Sequence, residues 1–192
     1  MKKRVTKKRI TKLKFNTAFN YPFNRAKGMW NILWVLLPII GWFALGGYSI
    51  RIIKEFSKGK FNKLPIFKFK KDLNLGFFMF IKSIPFIFAY MVIVAVFDTV
   101  PGLGALVRIF LELFIAPILT INFFVKETVG SYFEFRIIKS VFNNFWDYMV
   151  VFLKSILLFL VFAIMSIILV GIPAGLFTQN MFIADFYRRK VK

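Results

Sequence analysis

Three charged side chains, Asp98, Arg108 and Glu112, stand inside or beside long apolar runs of this sequence. Glu112 falls near the middle of the run at 103–125, where a carboxylate without a partner is costly. Arg108 precedes it by four residues, so on a helix the two share a face. Three chemistries suit that spacing. An internal ion pair would keep Glu112 charged and tie two helices together. A protonated Glu112 would hydrogen-bond to a neighbouring helix. An unneutralised Glu112 would bind an ion or a proton. The ion pair is the simplest of these, and Asp98, beside the Pro101-Gly102 turn, is a rival partner for Arg108. A second polar set is Thr178, Gln179, Asn180 and Asp185, with Asn122 in an earlier apolar run. Such groups hydrogen-bond across helices inside hydrocarbon, each for about 1 kcal/mol or less. They would serve as packing contacts or as a polar path through a bundle.

The chain has no cysteine and no histidine. Disulfides, thiol nucleophiles, iron–sulfur centres, ordinary zinc sites and imidazole acid–base chemistry are therefore excluded. There is no G-x-S-x-G, no phosphate-binding glycine loop and no paired-carboxylate motif. The expectation is a protein without enzymatic activity and without a cofactor.

The elements that must position these residues are apolar helices. From Gly76 to Val125 the sequence is nearly unbroken hydrocarbon, interrupted only by Pro101-Gly102. Each half, at 1.5 Å per residue, is long enough for a hydrocarbon core of about 30 Å. A chain of 192 residues that is 59% hydrophobic, with mean hydropathy +0.70, has too little polar surface to cover such segments in water. The fold class expected is an all-α integral membrane protein. Four transmembrane helices are read as two hairpins, at 76–100 with 103–125 and at 148–170 with a short 174–187. The tight turns at 101–102 and 171–173 would lie outside. The segment 30–53 is either a fifth span or a hairpin that enters and leaves on one face. Pro38 and Gly41 near its centre, and basic blocks on both sides, favour the hairpin. A linker at 54–75 follows. A cytoplasmic amphipathic helix is expected at 131–147, opened by a capping box of Ser131 and Glu134. Trp146 and Tyr148 would mark the membrane interface, and Lys82 and Lys154 would snorkel to it.

The formal net charge is +20, from 28 Lys and Arg against 8 Asp and Glu. Ten basic and no acidic residues fall in 1–28, eight basic residues and only Glu55 in 51–71, and four basic residues in the last five. Basic blocks beside apolar spans are held on the cytoplasmic side, against an anionic leaflet. That placement argues against nucleic acid as the partner. It implies both termini in the cytoplasm of a cell-membrane protein and anionic phospholipid as ligand. The expected lipid contacts are Lys2, Lys3, Arg4, Lys7, Lys8 and Arg9 in a basic tail at 1–16, with Lys70 and Lys71 in the linker.

Ala18-Phe-Asn-Tyr-Pro-Phe23, Trp30, Gly47-Tyr48-x-x-Arg51, Gly59, Leu64-Pro65, Asp72-Leu73 and Gly76-Phe77 form a recognisable series. It resembles the DUF4013 proteins, prokaryotic membrane proteins with a Tyr-Pro-Phe start, a Gly-Tyr-x-x-Arg exit from the first apolar segment and an Asp before the next helix. The likeness covers roughly 16–190 and is most specific over 18–77. It implies a membrane fold for the single domain at 17–192 and carries no activity with it. Here the linker is basic where members are often acidic, and the Lys-rich tail is additional. The function expected is a small accessory or scaffold protein binding anionic lipid, a membrane protein partner or another copy of itself. The alternative is an oligomeric transporter or channel for a small solute or ion, using the polar groups of the third and last helices.

Overall fold

Proline and glycine set the turns of this chain. The computed structural model describes residues 11–191, so the expected lipid contacts Lys2, Lys3, Arg4, Lys7, Lys8 and Arg9 lie outside the described residues. A short helix α1 (Phe15–Asn20) leads through Tyr21-Pro22 into a 3₁₀ stretch, Phe23–Leu36. The chain then reverses at Pro38-Ile39 into α2 (Ile40–Phe56). Ile39 holds a φ of 64°, a left-handed conformation that a β-branched residue adopts only in a forced turn. The two arms pack antiparallel. Gly41 abuts the Trp34 carbonyl and Gly28 lies against Leu64 and the Tyr48 hydroxyl. The apolar segment at 30–53 therefore folds back on itself.

α3 (Phe69–Asp98) runs antiparallel to α2 along its first third. At that crossing a Cβ on Gly47 would fall 1.8 Å from the Asp72 carbonyl oxygen, and one on Gly76 would fall 1.9 Å from that of Phe43. Backbone meets backbone there, and only glycine permits it. Gly102, with φ of 79°, turns the chain into α4 (Leu103–Lys126). Midway α4 loosens into a π-helical turn, Leu111–Ile115. Pro117 has no N–H to give to the carbonyl four residues earlier, that of Leu113. The Tyr148 hydroxyl donates to that oxygen instead, at 2.6 Å.

The expected four-turn helix at 131–147 is not formed. Two 3₁₀ turns, Val129–Phe133 and Phe135–Ile137, precede a six-residue α5 (Ile138–Asn143), and the backbone breaks at Asn144. Its capping box fails because both side chains are engaged elsewhere. Ser131 Oγ donates to the Thr128 carbonyl, and Glu134 is held by Lys126 at 2.5 Å.

α6 (Phe145–Met165) rises to a turn at 166–170, and the chain returns as α7 (Gly171–Thr178) and α8 (Met181–Lys190). Phe162 lies beside Gly171, and the Tyr148 ring meets Phe186 at 5.2 Å, so the return is antiparallel. Among the described residues the fold is all helical, and three helices are long and apolar enough to cross a membrane: Phe69–Asp98, Leu103–Lys126 and Phe145–Ile168. The fourth expected span, 174–187, is divided at Gln179-Asn180. Its second half, α8, is almost wholly buried.

Burial is lopsided. Tyr21, Tyr48, Phe56, Phe177, Phe182 and Phe186 are enclosed at the end of the molecule that holds the linker, here called proximal. α3 beyond Phe77, the first turns of α4 and the far end of α6 expose row upon row of Phe, Ile, Leu and Val. Apolar surface on that scale is lipid-facing. This is a membrane-embedded, multi-pass protein.

Candidate functional site

Tyr48, Arg51, Leu64, Pro65 and Asp72 of the recognised series converge on one clamp at the proximal end. Arg51 leaves α2 and grips Asp72, in the first turn of α3, through Nε at 2.8 Å and Nη2 at 2.7 Å. The Asp72 side chain is fully buried and also accepts the Lys68 N–H. A carboxylate at a helix N-terminus, paired bidentately, is held by dipole, charge and geometry together. The remaining donors fix the linker carbonyl by carbonyl. Asn24 Nδ2 donates to Asn62, Arg25 Nη1 to Leu64, the Tyr48 hydroxyl to Pro65 and Arg51 Nη2 to Ile66. Tyr21 is buried against Phe56, and burial pushes its phenol well above the usual range.

A linker so held presents its other side chains rigidly. Lys58, Lys60, Lys63, Lys68, Lys70 and Lys71 are all exposed. None of them is ion-paired with a carboxylate among the described residues. The sequence pointed to Lys70 and Lys71. The other four were visible there as a charge pattern, but the clamp that orders them was not.

A second network ties the chain's start to its last helix. Asp185 is 2% exposed and accepts from Arg188 at 2.5 Å, Arg189 at 2.9 Å and the Leu13 N–H at 3.2 Å. Arg189 continues to Asp147 at 2.5 Å, and Asp147 to Lys12 at 2.7 Å. Arg188 reaches the Thr11 carbonyl and stacks over Phe61. Asn122, fully buried, donates to the Ser131 carbonyl and accepts from the Tyr187 hydroxyl. Thr178 bonds back to its own helix at Ala174, Gln179 is exposed and Asn180 sits at the kink. The second polar set is thus distributed over separate contacts.

At the other, distal, end Arg108 pairs with Asp98 at 2.9 Å, and Glu112 accepts from the Tyr90 hydroxyl at 2.8 Å. The favoured Arg108–Glu112 pair is replaced because the Pro101-Gly102 turn brings Asp98 within reach. Tyr90, Asp98, Arg108 and Glu112 border an open concavity of about 360 Å³ with Met91 and Ala95.

A larger apolar groove, about 500 Å³, runs between α2, α3 and α4 past Trp42, Gly46, Met79, Phe80 and Phe123. At one end Glu127 closes α4, pairing with Lys54 through its carboxylate and accepting from Lys82 at its carbonyl. Lys82, expected to snorkel, caps that helix instead. Tyr148, expected at the interface, is buried, whereas Trp146 is 82% exposed. Lys126 holds the Glu134 carboxyl below the usual range. Among the described residues no cluster of acidic side chains has the makings of a metal site.

No curated protein and no solved structure matches the chain. Residues 31–171, well over half of its length, match the DUF4013 family, described as proteins of unknown function. With its clamp residues from Gly47 to Gly76 inside that match, the chain belongs to the DUF4013 family.

Proposed function

We propose that this protein is a non-enzymatic membrane scaffold whose held linker is a lysine platform for anionic phospholipid headgroups. The observation that carries the reading is the set of six exposed linker lysines on a backbone fixed by Asn24, Arg25, Tyr48 and Arg51. Each Lys near an anionic surface contributes about 1 kcal/mol, and a rigid array gives up little ordering entropy on binding. The platform then faces the cytoplasm with both termini, in the cell membrane, by the bias of basic segments toward that side. The hairpin turned at Pro38 enters the bilayer without crossing it, and α7 with α8 completes the fourth crossing. The separation of Glu112, Asn122 and Asp185 into unconnected places favours a scaffold over a transporter.

The test replaces Lys58, Lys60, Lys63, Lys68, Lys70 and Lys71 by Gln in the full chain. In nanodiscs of mixed neutral and anionic phospholipid, the parent should enrich anionic lipid around itself and the variant should not. Equal enrichment by a folded variant would refute the platform.

A further inference from the structure

We infer that the distal face bearing Tyr90, Asp98, Arg108 and Glu112 docks a second copy of this chain within the bilayer. This goes beyond the lipid platform and does not depend on it. The apolar exposed stretch of α3 runs from Phe77 to its end at Asp98. Tyr90 lies eight residues inside that end, about 12 Å at 1.5 Å per residue, and holds Glu112 at its own depth. A hydrocarbon core is about 30 Å thick, so Glu112 sits well within it. Yet Glu112 is exposed, and Arg108 and Asp98 are 48% and 46% exposed. Charged groups at that depth belong inside a bundle or a protein interface, not against acyl chains.

The charges themselves select the occupant. Among the described residues Arg108 engages a carboxylate through Nη2 alone, and Glu112 is bonded only through Oε1. Each keeps capacity for one more partner of opposite sign. The two lie one turn apart on one face of α4. A partner must therefore bring a cation to the depth of Glu112 and a carboxylate to the depth of Arg108. A two-fold axis along the membrane normal supplies both from an identical chain, since long Arg side chains cross one turn of helix. Small exposed residues, Ala95 on α3 and Ala105 on α4, let the backbones approach.

The absence of cysteine makes the test direct. Ala95→Cys in the full chain, in native membranes with a short bifunctional thiol reagent, should give a dimer. Ile156→Cys, exposed on α6, should not. In the Ala95→Cys background, Arg108→Leu, Glu112→Leu and the milder Glu112→Gln should each lower cross-linking about tenfold. Co-expressing differently tagged Arg108→Leu and Glu112→Leu chains should restore the mixed dimer, because one Arg108–Glu112 contact survives between them. Loss of that recovery, undiminished cross-linking in the single variants, or cross-linking of Ala95→Cys only to a different protein would each overturn the proposal. Because Glu112→Gln keeps an acceptor for Tyr90, its melting temperature in detergent should match the parent's, separating lost docking from lost folding.

Discussion

Two of the Asp–Arg pairs that join neighbouring helices, Arg51–Asp72 and Arg108–Asp98, do opposite work. Arg51 and Asp72 sit at the proximal crossing, with the carboxylate sealed from solvent and each group satisfied by backbone partners as well. Arg108 and Asp98 span the distal turn with nearly half of each side chain uncovered. The first pair is completed by its own chain and fixes architecture. The second is left open and is available to something else. Residue type alone does not distinguish a structural ion pair from a docking element, and the degree of enclosure does.

The largest expected effect sharpens that contrast. Arg51→Ala strands the Asp72 carboxylate and should cost about 3–5 kcal/mol, because a buried charge loses the counter-ion it has among the described residues. Thermal melts in detergent should show a collapse of folded yield, with Asp98→Ala melting close to the parent. Next comes a comparison at the α2–α3 crossing. Gly76→Ala forces a methyl into the Phe43 carbonyl and should cost on the order of 1–3 kcal/mol. Gly46→Ala, one residue from the crossing glycine Gly47 and facing open groove, meets nothing within 4 Å and should stabilise by up to about 1 kcal/mol. Tyr148→Phe leaves the Leu113 carbonyl unsatisfied beside Pro117 and should cost about 1 kcal/mol. Asp98→Asn, in the open pair, should cost less than about 1 kcal/mol in the detergent-solubilised monomer.

The smallest effect is a pH dependence at Glu134. Its carboxyl is pulled below the ordinary value by Lys126, and its side chain is 35% exposed. Its contribution is therefore present above the unfolded-state pKa and fades as pH falls through the lowered folded one. Glu134→Gln should remove a slight acid-side loss of stability, and an unchanged acid limb in the melt curves would remove Glu134 from the account.

Much of the fold was legible because hydrocarbon runs and turn residues act locally. The runs on either side of Pro101-Gly102, and the reversal at Pro38, follow from length, proline and glycine. What failed was everything set by tertiary competition. Ser131 and Glu134 have capping-box spacing, yet Thr128 and Lys126 are nearer partners in the folded chain. Arg108 and Glu112 have helical pair spacing, yet the Pro101-Gly102 turn delivers Asp98 from ten residues earlier. Hydropathy presented 174–187 as one continuous helix, whereas the chain breaks at Gln179-Asn180 and the network of Asp185, Arg188 and Arg189 encloses α8. The clamp is the intermediate case. Its spacing, Gly-Tyr-x-x-Arg followed by Leu-Pro and Asp, was visible as a likeness, but that its donors seize the carbonyls of Asn62, Leu64, Pro65 and Ile66 depends on how the folded chain brings them together.

The bonds from Leu13 to Asp185 and from Thr11 to Arg188 join groups 172 and 177 residues apart. Such a contact has a consequence for biogenesis. The segment at 11–13 is synthesised well before α8 and must wait, without these partners, until α8 has been made. Insertion of α3, α4 and α6 therefore precedes completion of the proximal body, and the Asp185 network is a late closure step in assembly. A nascent chain arrested before α8 would be inserted but unlatched, its amino-terminal arm still exposed to proteases.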